Sequence, residues 1–192
     1  MEGEHLMRSR VFAALLVAGV AGASGACSSD APSPTQPSAI TVPVQLQTAR
    51  HTGDPHNHRT HLTGDAERPD PNDSRAQGQA IFHVSDDGSE IQYKLIVANI
   101  ENVTQAHIHC CANTEGTAGI VVWLYPSAPP LQLIPGRFQG ALAEGAITQG
   151  SLVGSLAGQS LTVLLDNIAS GLAYVNVHTS LFPPGEIRGQ IQ

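Results

Sequence analysis

The 192-residue chain predicts an all-β fold: a single antiparallel β-sandwich of about eight or nine strands with one short helix. Three observations carry this. Short segments of alternating apolar and polar residues recur between turn signals. The chain holds 19 glycines and 13 prolines, enough to punctuate many turns. Apolar residues reach 41 % while charged residues make up 13 %, a balance that excludes both pervasive disorder and a long coiled coil.

The N-terminal 38 residues are set apart by composition. Arg8 and Arg10 precede an apolar run over 11–23, which is too short for the roughly 20 residues that span a bilayer. A basic flank, a short apolar core and then small residues predict a secretory signal peptide over 1–26. Ser24-Gly25-Ala26-Cys27 resembles the lipobox of bacterial lipoproteins, in which the cysteine is acylated and becomes the mature terminus. Residues 28–38, SSDAPSPTQPS, are small, polar and proline-rich, so they form a flexible tether over 27–38 rather than a core. The expectation is an exported protein, lipid-anchored in the cell envelope or secreted, with its folded domain over 39–192.

Strand signals then follow in order. The segment 40–46 alternates weakly around Pro43 and suits only an edge strand. His51, His56, His58 and His61 lie in an irregular polar stretch, and 67–73 reads as a proline loop. Segments 77–84 and 91–98 are strand-like, and Asp86-Asp87-Gly88 between them signals a hairpin. Segment 103–110 is a further strand, and the apolar 120–125 reads as one buried on both faces, with Trp123 in the core. Segments 137–142 and 150–156 are weaker, glycine-rich strands. Leu161, Leu164, Leu165 and Ile168 fall at helical spacing, with Ser160 at the cap and Gly171 at the C-terminal stop. Segments 174–179 and 186–191 return to strand.

Charge and cysteine count narrow the function. Nine basic against 16 acidic residues give a net charge of −7, and Lys94 is the only lysine. No basic stripe exists to grip phosphates, so nucleic acid is excluded as a partner. With Cys27 assigned to acylation, Cys110 and Cys111 remain. Being adjacent, they cannot staple distant parts of the chain. They form a strained ring with each other, stay as thiols, or bind metal. No nucleophile elbow, paired catalytic carboxylates or phosphate-binding glycine loop is present.

Several blocks together resemble the CHRD domain, the module named for chordin. They are Thr60-His61-Leu62-Thr63-Gly64-Asp65-Ala66-Glu67, Asp86-Asp87-Gly88, Asn99-Ile100-Glu101-Asn102-Val103-Thr104, Ala106-His107-Ile108-His109, Tyr174-Val175-Asn176-Val177-His178-Thr179 and Gly185-Glu186-Ile187-Arg188-Gly189-Gln190-Ile191. The resemblance runs from about Thr60 to Gln192. It implies an all-β sandwich, which we expect to be immunoglobulin-like or superoxide-dismutase-like, and it brings no established activity. Cys110-Cys111 and the Arg68 and Asp70 interruption depart from its pattern.

The candidate site therefore rests on the residues. Alternation puts His107 and His109 on one strand face, and Tyr174, Asn176 and His178 on the face away from Val175 and Val177. Two neighbouring strands would then present three imidazoles on a shared outer face. This suits copper or zinc, with metal–nitrogen bonds of about 2.0–2.1 Å. Cys111, if the strand continues, and the loop histidine His61 are candidate additional ligands. Glu186 and Arg188 are expected to pair on one strand face. The best reading is a binding or envelope module with a small-molecule or protein partner, holding a transition metal on His107, His109 and His178. The alternative is a copper-dependent redox enzyme, because His107-Ile108-His109 is similar to the copper-ligand strand of Cu/Zn superoxide dismutases. The bridging histidine and zinc loop of those enzymes are not recognisable.

The signal and lipobox generate a direct test. The mature chain should begin at Cys27 and partition into detergent, and Cys27→Ala should abolish that partitioning. Intact mass of the purified protein checks it: an unmodified Cys27, or a terminus elsewhere, contradicts the anchor.

Overall fold

The computed structural model describes residues 56–113 and 115–192. The expected signal peptide, Cys27, the tether, the 40–46 strand and His51 lie outside the described residues. Seven strands follow in order: β1 (Asn57–Thr63), β2 (Gln77–Val84), β3 (Ile91–Cys110), β4 (Gly119–Tyr125), β5 (Ile134–Ile147), β6 (Ala173–Thr179) and β7 (Ile187–Gln190). One helix, α1 (Leu161–Ala169), lies between β5 and β6. The all-β antiparallel class with one short helix is as expected.

The strands belong to one hydrogen-bonded sheet rather than two. Its order is β2-β1-β7-β6-β3-β4, and an additional β2–β3 pairing closes β1, β2, β3, β6 and β7 into a ring. β4 and β5 attach to β3 outside that ring. The expected separate strands 91–98 and 103–110 are one strand of 20 residues. Its first half pairs with β2 and β5, and its second half with β6 and β4.

The junction is marked by Asn99 and Asn102, with φ of 56° and 53°. Asparagine is among the few residues that tolerate this left-handed region. The register with β5 shifts across the same stretch. Between Asn99 and Gln105 the buried positions change phase. Ile91, Leu95 and Val97 face the core before the junction and Val103 does just after it; a further register shift against β6, between Val103 and Gln105, then turns Ala106, Ile108 and Cys110 to the core.

Two further sequence expectations change. Segments 137–142 and 150–156 are not a pair of strands. The first lies inside the 14-residue β5, and the second is two short 3₁₀ turns, Gln149–Ser151 and Gly154–Leu156. Glycine permits either conformation there, so apolar alternation alone could not decide. The segment at 57–63 is a strand, because it finds β2 across residues 57–63 and 77–83. The 85–90 hairpin forms as expected. Asp87 accepts from the Ser89 hydroxyl and amide and from the Ser85 hydroxyl, which hold its carboxyl down at about 2.

Helix α1 buries Leu161, Leu164 and Ile168 against the core, each contributing roughly 1.5–3 kcal/mol as an upper bound. Ser160 has the extended backbone of an N-cap but makes no side-chain cap bond. The C-terminus closes as a Schellman motif: Gly171 N–H donates to Ile168 O and Leu172 N–H to Asn167 O.

Ring closure depends on β7 approaching β1. A Cβ at Gly189 would collide with the His61 carbonyl and the Thr60 hydroxyl. Gly189→Ala should therefore destabilise the domain by about 1–3 kcal/mol. Gly119→Ala, where a Cβ meets nothing within 4 Å, should stay within about 0.5 kcal/mol of wild type. Urea unfolding followed by far-UV circular dichroism checks both.

Candidate metal centre

The phase change in β3 decides where its histidines go. With Ile108 facing the core, His107 and His109 fall on the opposite face. β6 lies alongside in a register that pairs His109 with Tyr174, His107 with Asn176 and Gln105 with His178. His178 is thus the diagonal neighbour of His107. The three imidazoles each offer a nitrogen, and these nitrogens lie within 4.8 Å of one another. His107 Nδ1 and His178 Nε2 are 3.2 Å apart.

Backbone carbonyls fix two of the rings. His178 Nδ1–H donates to Pro183 O and His109 Nδ1–H to Ala118 O, both at 2.9 Å. These tautomers, assigned from the hydrogen-bond partners, leave Nε2 of each ring as a lone-pair nitrogen. An outer carbonyl that sets the tautomer and ring orientation is the usual support of a metal-ligating histidine. With His107 Nδ1–H donating to His178, its Nε2 carries the remaining lone pair. His107 Nε2 and His109 Nε2 are buried and have no hydrogen-bond partner. An orphaned buried polar atom costs about 1–3 kcal/mol, so two on adjacent rings fit a ligand-binding site better than a purely structural cluster.

The face that carries them is covered rather than open. His107 is 0 % and His178 7 % exposed, and every residue of β6 is buried. The histidines were expected on an outer face because strand alternation cannot reveal what loops lie over it. Trp123 packs edge-on against His107 with centroids 4.3 Å apart, and Tyr174 stacks on His109 at 4.8 Å and 1°. Trp123 is therefore a wall of the site and not a simple core residue. Burial holds His107 down at about 3, helped by its histidine neighbours. Burial likewise holds His109 at about 4 and lowers His178, each against the pull of its carbonyl partner.

The same layer contains polar residues that sequence reasoning did not assemble. Glu67, from the loop after β1, accepts two hydrogen bonds from Asn176 Nδ2, at 2.8 and 2.9 Å. Burial pushes its carboxyl up to about 7, against the opposing pull of Arg188 and Arg68. Gly185 leaves room for this pair: a Cβ there would collide with Asn176 Nδ2 and sit 2.7 Å from Glu67 Oε1. Arg188 lies 3.4 Å over the Tyr174 ring, completing a stack from His109 through Tyr174 to the guanidinium. Placement of Tyr174 and Asn176 on the His178 face was legible from alternation. Glu67 was not, since it arrives from a distant loop.

Other candidates lie elsewhere. Arg188 does not pair with Glu186, which accepts from Ser74 Oγ at 2.6 Å. His61 is exposed on β1, and its neighbour across the ladder is Gln79. Cys111 has left the strand, with φ of 70°, and its exposed thiol meets Cys110. Burial, then the Cys111 thiol, push Cys110 up to about 12, so it rests as a thiol.

Fold and site together define an all-β domain with three buried, converging imidazoles set into one face of a closed antiparallel sheet. The chain belongs to the CHRD domain family, whose model matches residues 58–191. The match takes in all three histidines and every described strand but the first residue of β1. No curated protein and no solved structure matches the chain.

The buried histidines generate a stability prediction for the metal-free protein. In the unfolded chain they take up protons near pH 6.5, whereas His107 and His109 stay neutral in the fold until about 3 and 4. Between those limits the unfolded state binds more protons, so stability falls as pH falls. Glu67 acts the other way, because its folded carboxyl is protonated from about 7 while the unfolded one waits until 4.5. The histidines outnumber it, and the net loss from pH 7 to pH 5 should be roughly 2–4 kcal/mol. Urea midpoints at the two pH values check this, and equal midpoints contradict it.

Proposed function

We propose that this CHRD domain is a non-enzymatic metal-binding module of the cell envelope, holding copper or zinc on His107, His109 and His178. The observation that carries the reading is the donor set itself. Three imidazoles converge within 4.8 Å, His109 and His178 have Nδ1 locked to backbone carbonyls, and Nε2 of His107 and of His109 is buried without a partner. A three-histidine set suits both metals and leaves a coordination position for water or a small-molecule or protein partner. The N-terminal signal, Cys27 and the proline-rich tether support export and attachment to a membrane through a lipid. The net charge of −7 argues against nucleic acid as the partner.

What the chain's own residues contribute is binding and exclusion of solvent. Trp123 and Tyr174 wall the rings, and the Pro183 and Ala118 carbonyls keep them oriented before any ion arrives. Such preorganisation lowers the ordering cost of binding.

Trp123, the single tryptophan, provides the readout, because it touches His107. Copper(II) added to metal-free protein should quench its fluorescence at one equivalent. His107→Ala and His178→Ala should each weaken copper or zinc binding by more than about tenfold, the scale at which even supporting residues matter. His83→Ala is the control, since His83 is exposed on β2 and bonded to Asn57. Unchanged affinity in His107→Ala contradicts the assignment.

A further inference from the structure

Neighbouring side chains leave a strand on opposite faces, so two consecutive cysteines do not ordinarily meet. Here they do. Cys110 ends β3 and is buried, Cys111 is exposed, both are free thiols, and their Sγ atoms lie 2.6 Å apart. The backbone cause is φ of +70° at Cys111, a left-handed conformation that few residues other than glycine adopt. It turns the chain out of the strand and brings the second thiol round to the first.

That conformation is held by the residues that follow it. Ala112 N–H donates to Leu172 O at 3.1 Å, and Asn113 N–H donates to Thr117 O at 3.0 Å. Asn113 Oδ1 accepts from the amides of Glu115 and Thr117. A non-glycine residue kept in the left-handed region by surrounding hydrogen bonds is the kind of strain that marks a functional position. The function proposed for the three histidines makes no use of this pair.

We propose that Cys110 and Cys111 form a reversible thiol–disulfide centre, which closes by exchange with small-molecule disulfides of the glutathione type. The exposed Cys111, as thiolate, attacks one sulfur of the disulfide. A Cys111–glutathione bond forms, the glutathione S–S bond breaks, and the first glutathione leaves. Cys110 sulfur then attacks Cys111 Sγ, its proton passes to solvent, and the second glutathione leaves. The cysteines lose two electrons and two protons, and the glutathione disulfide gains them as two thiols. Consecutive Cα atoms are about 3.8 Å apart, short of the usual 4.4–6.8 Å for a disulfide. The ring is therefore strained and easily reopened, as suits a reversible centre rather than a structural staple.

The test uses the full chain carrying Cys27→Ser, so that only the pair can react, with EDTA present throughout. Failure of the metal reading then leaves the result untouched. Treatment with glutathione disulfide should yield a species lighter by two hydrogens, which takes up no alkylating agent. Dithiothreitol should restore both thiols. Cys110→Ser has no resolving thiol and should accumulate the glutathione adduct on Cys111 at least about tenfold more than the parent chain. A parent chain that keeps both thiols alkylatable under oxidising buffer overturns the proposal. So does one that accumulates the adduct as fully as Cys110→Ser.

Discussion

The irregular stretch of β3 from Asn99 to Gln105 is the constraint on which the rest of the structure depends. Before it, Ile91, Leu95 and Val97 face the core; Val103 still does just past Asn102, and the register shift against β6 between Val103 and Gln105 then brings Ala106, Ile108 and Cys110 there. Had the strand run on in phase, His107 and His109 would occupy core positions and Ile108 would lie with Asn176. The same stretch lets one strand serve β2 and β5 with its first half and β6 and β4 with its second. Asparagine makes it cheap, because its side chain tolerates the left-handed backbone; Asn102 Oδ1 also accepts from the Gly136 amide at 2.8 Å.

Once the face exists, the remaining polar residues follow from the need to bury it without leaving charges stranded. Glu67 finds Asn176, Arg188 finds the Tyr174 ring, and His109 and His178 find carbonyls. What the layer leaves unsatisfied is confined. Among the described residues, the buried side-chain atoms without partners are His107 Nε2, His109 Nε2 and Asn176 Oδ1. All three belong to one row and its neighbour in the β3–β6 register. These atoms lie beside the three imidazoles that could hold a metal ion.

Much of this was legible because it is local. Period-2 alternation assigned His107, His109 and His178 to faces opposite their apolar neighbours, and helical spacing located α1. Three things were not legible, each for a physical reason. The fusion of 91–98 and 103–110 into one strand depends on two asparagines adopting a backbone that sequence permits but does not require. Burial of the histidine face depends on loops around Glu67, Ala118 and Gly185, whose positions are set by tertiary contacts. The turn at Cys111 removed it from the histidine face, where continued alternation would have placed it.

The central claim is that His107, His109 and His178 share one ion. X-ray absorption at the zinc edge, on protein loaded with one equivalent, tests it most directly. The account predicts three imidazole nitrogens at about 2.0–2.1 Å in a four-coordinate shell. A shell with fewer than two imidazoles, or one unchanged when His107 is replaced by alanine, would contradict it.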